Sequence, residues 1–324
     1  MRIAVVGSYG VGLTMRVNRL PAGGETLSDG VFSTGHGGKG SNQAVAAARL
    51  GAQVSLLTAV GADPFGTTAC ELWRDEGVRA TVLTTGAATM VGVILVEPSG
   101  ENRIVIAPGA LAELSPADVD AFEDEIAAAD ILVTGFEIPV PVARRALQLA
   151  RRHGVRTLLN PAPAVPLDAE LWELTDVLTP NQSEAAVLVG QGDPRLRGDD
   201  GGVGRDGDDA RGHGGMRLDT PDACADAIRA RFGGVAVLTL GGEGCLLDTP
   251  DGTRTRVPAV PPAQVVDTTG AGDAFTGALA VALARGDELV DAVRYATAAG
   301  AHAVATAEVI PSLARPSDIA ALIG

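Results

Sequence analysis

The stretch that most constrains the fold is a glycine-rich turn leading directly into an apolar helix, residues 265–285, VVDTTGAGDAFTGALAVALAR. The β-branched pair Val265 and Val266 predicts the end of a buried strand. From Ala274 onward, apolar residues recur at helical spacing, which predicts a helix. A glycine turn at a helix start leaves several backbone N–H groups unpaired and pointing the same way, so this junction is suited to binding an anion.

Asp273 falls in the first turn of that helix. The positive end of the helix dipole favours the ionised carboxylate, which could accept a proton from a hydroxyl held nearby. The alternative is a carboxylate that only offsets the helix dipole, and an isolated GxGD would favour it. Because the whole run DTTGAGDAFTGAL is present, we favour a site that binds an anion and carries a base.

Elsewhere, short apolar runs alternate with helical stretches, the pattern of an α/β fold with a mostly parallel sheet flanked by helices. In such a sheet, ligands bind at the carboxyl ends of the strands. Helix starts are predicted at Ser115 with Asp118 and at Thr220 with Pro221. The predicted strands are Arg2–Gly7, Val54–Val60, Ala80–Thr85, Ile131–Thr134, Arg156–Asn160, Val177–Thr179 and Val235–Leu240, and the clearest helix is Ser41–Leu50.

Four further segments predict two β-hairpins. Leu13–Val17 alternates weakly and Thr26–Thr34 is predicted to return beside it. Met90–Leu95 and Arg103–Ile106 form the second predicted hairpin, joined by a turn at Pro98, Ser99 and Gly100.

Charge and composition exclude several classes of partner. The net charge of −15 argues against nucleic acid or an anionic membrane as partner. Cys70, Cys224 and Cys245 have no CxxC spacing, so we predict buried thiols rather than a metal site or a disulfide framework. No apolar run reaches membrane-spanning length and the N-terminal apolar run is too short for a signal peptide, so we expect a cytoplasmic protein.

Two glycine motifs near the N-terminus fail as nucleotide-binding fingerprints. GSYGVG at residues 7–12 has the spacing GxxGxG and precedes a predicted strand, whereas a dinucleotide fold needs GxGxxG before a helix. GGKG at residues 37–40 lacks the Ser or Thr that a P-loop requires after its lysine. Its lysine, Lys39, is nevertheless the sole lysine of the chain.

The segment from Gln191 to Gly215 is dominated by Gly, Asp and Arg. Because it has little to bury, we predict a disordered surface insertion. A calcium loop is the alternative, since Asp206–Asp209 has DxDD spacing, but the terminal glutamate and flanking helices of an EF-hand are missing.

The run DTTGAGDAFTGAL resembles the second signature of the ribokinase-like (PfkB) family of carbohydrate kinases. The first signature is matched by GGKGSNQAVAAARLG at 37–51, and NPAPA at 160–164, TPNQSEA at 179–185 and LTLGGEG at 238–244 follow in the family's order. The resemblance implies one ribokinase-like kinase domain over residues 1–324, with a small β-sheet lid from about 12–36 and 90–107. It also implies transfer of the γ-phosphoryl group of ATP to a sugar hydroxyl, and a homodimer could form through the lid.

By the same resemblance, each motif residue has an expected role. Asp273 would be the base, with Gly270, Ala271 and Gly272 forming the anion hole. Asn181 and Glu184 would position Mg²⁺ near the phosphates, although a helix N-cap explains this pair equally well in isolation. The remaining implied residues are Thr239, Gly241 and Gly244 for the nucleotide, Gly38, Lys39, Asn42 and Glu137 for the sugar, and Asp267 and Thr269 for a monovalent cation.

Four positions depart from the family. Gly10 and Gly12 stand where the ribose-phosphorylating members have an Asn-x-Asp pair, and Leu111 replaces a common Asn. Glu308 stands where the cation loop usually has glycine, which argues against potassium activation. The leading hypothesis is therefore a kinase of ribose or a related small sugar. A nucleoside kinase is favoured if the glycine pair makes room for a base. A catalytically silent sugar- or nucleotide-binding protein is disfavoured by the intact site motifs, and a screen of ATP consumption would separate the three.

Overall fold

The main body of the protein is a nine-stranded sheet in the order β13-β12-β11-β10-β9-β8-β1-β4-β5. The computed structural model describes residues 1–99, 102–190 and 218–324. The strands of this sheet are β1 (Arg2–Val6), β4 (Gln53–Gly61), β5 (Arg79–Thr85), β8 (Ile131–Gly135), β9 (Arg156–Asn160), β10 (Val177–Leu178), β11 (Val235–Thr239), β12 (Cys245–Asp248) and β13 (Arg254–Val257).

The sheet is parallel from β5 to β11, and at one edge β12 runs in the opposite direction, pairing antiparallel with both β11 and β13. At its centre, β1 pairs in parallel with both β4 and β8. Both faces of these strands are buried, which is why they are nearly continuous runs of Val, Ile, Leu and Ala rather than alternating patterns.

Helices cover both faces of the sheet and form two buried apolar clusters. One cluster lies between the sheet and α1, α9 and α10, and the other lies beneath α5 on the opposite face. The helices are α1 (Lys39–Arg49), α2 (Pro64–Asp75), α3 (Pro116–Asp120), α4 (Glu123–Ala127), α5 (Val140–Arg152), α6 (Ala169–Leu174), α7 (Gln182–Leu188), α8 (Pro221–Arg229), α9 (Ala271–Arg285), α10 (Leu289–Ala303), α11 (Val309–Ser312) and α12 (Pro316–Ile323).

A second, separate sheet has four strands in the order β3-β2-β6-β7. Its strands are β2 (Gly10–Arg16), β3 (Val31–Gly37), β6 (Val91–Val96) and β7 (Asn102–Ala107). The two predicted hairpins therefore join into one sheet, because β2 and β6 pair in parallel. The predicted strand Thr26–Thr34 is correct only in its second half, since residues 26–30 lie outside the strand, which begins at Val31 and continues to Gly37.

The prediction that Val265 and Val266 end a buried strand is wrong. They lie in a loop, with 67% and 53% of their surface exposed. The backbone N–H of Val266 donates to the carbonyl of Val304 at the end of α10, so this loop is fastened to a helix rather than to the sheet. Helix α9 is therefore reached from a surface loop, not from a strand.

Both predicted helix starts are confirmed. Ser115 and Asp118 form a capping box on α3, and the side chain of Thr220 accepts a hydrogen bond from Ala223 at the start of α8. The prediction of three buried thiols is wrong for Cys70, which is exposed, whereas Cys224 and Cys245 are buried. The predicted insertion at 191–215 lies outside the described residues. Over the residues that are described, no helix is long and apolar enough to cross a membrane.

Candidate active site

The starts of α1 and α9 and the carboxyl ends of the central strands meet at one edge of the main sheet. Helix α9 begins after Gly270, whose φ of 80° is a left-handed conformation that glycine adopts without strain. A side chain at Gly270 would also collide with Val309, since its Cβ would lie 2.4 Å from Val309 Cγ1. Both the conformation and the packing therefore require glycine at the turn that opens this helix.

The three expected anion-hole N–H groups are not equivalent. The Ala271 N–H donates to the Thr268 carbonyl at 3.3 Å and closes the turn. Within the described residues, the N–H groups of Gly270 and Gly272 have no recorded hydrogen-bond partner. Two donors at the positive end of a 15-residue helix thus remain for a bound anion.

Asp273 is buried in the first turn of α9, with 6% of its surface exposed. The amide of Asn42 donates to its Oδ2 at 2.8 Å, and the amide of Gln43 donates to its Oδ1 at 3.2 Å. Burial raises the pKa of Asp273 above its ordinary value, while the charge of Lys39 opposes that shift. The site thus holds an oriented carboxylate whose proton affinity exceeds that of an exposed aspartate.

One polar atom of Asn42 is left without a hydrogen-bond partner within the described structure. Its Nδ2 is used by Asp273, but its Oδ1 is buried and has no hydrogen-bond partner within the described structure. A buried unpaired carbonyl oxygen costs about 1–3 kcal/mol unless a ligand or water donates to it. The atom is therefore available to accept a hydrogen bond from a ligand or a water beside Asp273.

The start of α1 is held by Glu137, which follows β8. Glu137 Oε2 accepts hydrogen bonds from the Lys39 backbone N–H at 2.8 Å and from Ser8 Oγ at 2.6 Å. Gly38 precedes the helix with φ of 86°, and a Cβ there would lie 2.5 Å from Tyr9 Cα. The close approach of α1 to the end of β1 thus depends on glycine.

Lys39 is the cation of the site. The negative charge of Asp273 raises its pKa, burial opposes that shift, and Glu137 and Glu184 add to the increase. Three carboxylates from three different parts of the chain therefore lie close enough to the sole lysine to interact with it. The structure brings together residues that are separated by more than 200 positions in the sequence.

Asn181 and Glu184 form the capping box that the N-cap alternative predicted. Asn181 Oδ1 accepts from the Glu184 N–H at 2.8 Å, and Glu184 Oε2 accepts from the Asn181 N–H at 2.8 Å. Burial raises the pKa of Glu184 above its ordinary value, with Lys39 opposing and Asp273 adding to the shift. The pair therefore caps α7 and also borders the site, so the two interpretations are compatible.

The expected nucleotide residues lie beside this cap. The Thr239 N–H donates to the Pro180 carbonyl at 2.9 Å, and Asn181 and Thr239 form an isolated parallel bridge. Gly241 has φ of 56°, and a Cβ there would meet nothing within 4 Å, so the backbone is open to a ligand. Gly244 is required by packing instead, since its Cβ would lie 2.1 Å from the Val257 carbonyl oxygen.

The expected cation loop contains a tight turn between its two predicted residues and, further along the chain, a glutamate with a strained backbone. Asp267 Oδ1 accepts from the Thr269 N–H at 2.9 Å in a tight turn. Opposite it, Glu308 has φ of 67° and ψ of 149° and is the one positive-φ residue other than glycine in the described chain. This conformation costs a side-chain-bearing residue about 1–3 kcal/mol. The family's glycine at this position is thus explained by backbone geometry, and the glutamate is strained.

The space beside Gly10 is filled, contrary to the idea that the glycine pair makes room for a larger substrate. A Cβ on Gly10 would lie 2.3 Å from Met90 Cε, whereas a Cβ on Gly12 would have its nearest neighbour at 3.6 Å. Leu111 is fully buried in an apolar cluster and offers no polar contact. Room for an added side chain exists at Gly12 alone of the two glycines.

Sequence reasoning missed three residues that organise the site. Ser8 and Gln43 bind the carboxylates of Glu137 and Asp273, and Asn160 Oδ1 accepts from Gln43 Nε2 at 3.1 Å. The available signal was their position: Ser8 and Asn160 stand at strand ends, and Gln43 lies one position after Asn42 inside the first signature. Polar residues at the carboxyl ends of parallel strands are candidates on topology alone.

Comparison with known proteins identifies the family of the chain. Residues 2–315 match the pfkB family carbohydrate kinase. A ribokinase of Schizosaccharomyces pombe is 37% identical over 97% of this chain and 96% of its own length, and a deoxyribokinase of Salmonella typhi is 34% identical over 86% and 85%. The structure of Arabidopsis thaliana ribokinase complexed with ribose and ATP has a TM-score of 0.85 at 28% identity, covering 99% of this chain and 98% of that one. The chain therefore belongs to the pfkB family of carbohydrate kinases and is a sugar kinase.

Proposed function

We propose that the protein transfers the γ-phosphoryl group of ATP to a hydroxymethyl group of ribose or a related small sugar. The observation that carries the proposal is the buried Asp273 carboxylate, oriented by two amides beside unpaired N–H groups at the start of α9. Relatives named ribokinase and deoxyribokinase, and a structural neighbour complexed with ribose and ATP, support a pentose as acceptor.

In this proposal Asp273 is the base. Its raised pKa increases its affinity for the proton released by the attacking hydroxyl, and the Asn42 and Gln43 amides fix the direction of both carboxylate oxygens. The Gly270 and Gly272 N–H groups would stabilise the charge that develops on the transferred phosphoryl group, because they point from a helix start without rearrangement. The sugar would lie against Gly38, Lys39, Asn42 and Glu137.

We propose that Glu184 and Asn181 hold Mg²⁺ and its waters near the phosphates. Glu184 Oε2 is committed to the cap, so Oε1 is the atom that would face the metal. One or two carboxylates combined with substrate phosphates suit Mg²⁺, which keeps several of its waters. When bound, the metal would neutralise charge on the phosphates. Thr239, Gly241 and Gly244 would line the nucleotide site, and Glu308 argues against a potassium site at Asp267 and Thr269.

We propose that the four-stranded sheet is a lid over the sugar and also the contact surface of a homodimer. One face of this sheet carries exposed apolar residues from three strands, with Phe32 at 56%, Val93 at 42% and Val105 at 73% exposure. Contiguous apolar surface of this kind marks interaction sites. The single-domain organisation expected from the sequence remains part of this proposal.

A nucleoside kinase is not favoured, because Met90 occupies the space that a base was expected to use beside Gly10. The test is a coupled assay of ATP consumption with D-ribose, 2-deoxy-D-ribose, hexoses, phosphosugars and nucleosides. We expect the highest kcat/KM with a pentose. Consumption with nucleosides alone, or with no acceptor at all, would refute the proposal.

A further inference from the structure

The Glu308 carboxylate lies against the inner face of the small sheet. A Cβ built on Gly35 of β3 would lie 3.8 Å from Glu308 Oε2. Gly35 pairs with Gly12 of β2, and the next pair on the same face is Gly10 with Gly37. Toward the start of β2, this face therefore has no side chains from either strand, and the carboxylate stands over a bare glycine surface.

The segment that carries Glu308 is fixed to the anion-hole turn. Val309 is buried and packs directly on Gly270, and α11 lies against β3. Glu308 is thus held between the turn that opens α9 and the strand that would cover the acceptor. Its carboxylate makes no hydrogen bond or ion pair with any described residue.

The charge of Glu308 influences His36, which lies near the end of β3. Burial lowers the pKa of His36, and Glu308 is the charge that opposes this shift. His36 Nδ1 and the Tyr9 hydroxyl form a hydrogen bond at 2.8 Å, so this ring nitrogen already has a partner.

We propose that Glu308 is a substrate-contacting residue whose carboxylate accepts a hydroxyl of the sugar from the lid side. This inference rests on the proposed function and narrows it to a neutral polyhydroxylated acceptor. An unpaired carboxylate against this face of the lid would accept hydrogen bonds from hydroxyl donors and repel a phosphorylated sugar. The strained backbone of Glu308 is consistent with this role, since strain at a residue without a packing partner is retained where the side chain is used.

The test compares four variants with wild-type enzyme. Glu308→Gln removes the charge and keeps the side-chain length, while Glu308→Gly also relieves the backbone strain. Glu288→Gln and Glu288→Gly are matched controls, because Glu288 is likewise an exposed glutamate at a helix N-cap without a side-chain cap bond. It differs in having an ordinary φ of −60°, and it begins α10, beyond the far end of α9.

With D-ribose and 2-deoxy-D-ribose as acceptors, we expect both Glu308 variants to raise the acceptor KM about 10- to 100-fold, the effect of losing a charged hydrogen bond. The KM for ATP should stay within about twofold, because the contact is to the acceptor. Glu308→Gly should raise Tm by a few degrees, whereas Glu288→Gly should not. Discrimination against D-fructose 6-phosphate relative to D-fructose should decrease in Glu308→Gln.

A double variant tests whether a carboxylate at a neighbouring position can replace that of Glu308. Gly12→Asp in the Glu308→Gly background returns a carboxylate to the same face of the lid, where a Cβ meets nothing closer than 3.6 Å. We expect the double variant to recover part of the lost acceptor affinity. In wild-type enzyme, Gly12→Asp should instead weaken acceptor affinity, because the two carboxylates would repel each other.

Acceptor KM values in both Glu308 variants that match wild type and the Glu288 controls would overturn the inference and leave the proposed function standing. A lower Tm in Glu308→Gly, with ATP and acceptor affected equally, would show a structural role and would also overturn it. Wild-type enzyme that consumes ATP with no sugar would instead refute the proposed function and the inference with it.

Discussion

Replacing Asp273 by Asn separates catalysis from stability at the centre of the site. Asn has the same size but only one acceptor oxygen, whereas the carboxylate accepts from Asn42 at 2.8 Å and from Gln43 at 3.2 Å. The side chain can no longer take up a proton, and a positioned base contributes about 10²- to 10⁴-fold to the rate. We therefore expect kcat to fall by that factor, about 2.7–5.4 kcal/mol of transition-state stabilisation, with ATP affinity nearly unchanged.

The expected dependence of stability on pH has the opposite sign from that of a salt-bridged carboxylate, whose pKa is lowered on folding. Burial raises the pKa of Asp273 in the folded state. A group with a raised folded pKa contributes stability below its unfolded pKa, and this contribution is lost as pH rises through the folded pKa. The neutral amide that Asp273→Asn introduces removes the cost of burying a charge but gives up one of the two hydrogen bonds, so Tm should stay close to that of wild type.

Asp248→Asn is the matched control. Asp248 is 2% exposed and pairs with Arg229 at 2.7 Å and with Arg254 at 3.3 Å, on the part of β12 that faces the start of β11. Losing hydrogen bonds between charged groups costs about 1.5–3 kcal/mol, so Tm should fall by several degrees while kcat stays the same. Turnover of Asp273→Asn within tenfold of wild type would remove Asp273 as the base. A Tm for Asp273→Asn below that of Asp248→Asn would refute the pKa argument.

Two further predictions concern the start of α1. Lys39→Met removes the charge that favours ionised Asp273, so the acid limb of kcat/KM against pH should move to higher pH; an unchanged limb would show that the two groups are not coupled. Gly38→Ala should abolish soluble folded enzyme or lower Tm steeply, because the added Cβ would lie 2.5 Å from Tyr9 Cα. Gly51→Ala is its control in differential scanning fluorimetry, since φ is similar at 92° but nothing lies within 4 Å; equal losses would mean that backbone strain alone matters.

The main sheet could be predicted because its central strands are buried on both faces and therefore appear as continuous apolar runs. The same reasoning failed at Val265 and Val266, where two β-branched residues imitate a strand end but lie on a loop fastened to Val304. A two-residue pattern does not report the backbone hydrogen bonds that decide between loop and sheet. The predicted bounds of strand β3 were wrong for a related reason, because β3 lies at the edge of its sheet and much of it is exposed.

The sequence located the site, but it did not show which side chains contact one another there. The motifs gave Asp273, Lys39 and Glu137, whereas the contacts that orient them come from Gln43 and Ser8 across large sequence separations. Nothing in a linear pattern states which side chain an amide will meet. The same limit applies beside Gly10, where the space suggested by a glycine is filled by Met90, the residue that precedes β6.

The charge balance of the site explains why its base is placed at a helix start. Lys39 and the positive end of α9 favour the ionised form of Asp273, while burial and the charge of Glu137 oppose it. On the proposed function, the approaching phosphoryl group adds negative charge beside Asp273 as the hydroxyl attacks. The proton affinity of the carboxylate then rises at the step that requires it to accept a proton. The base is thus kept available by the helix and the sole lysine, and it is made stronger by the substrate itself.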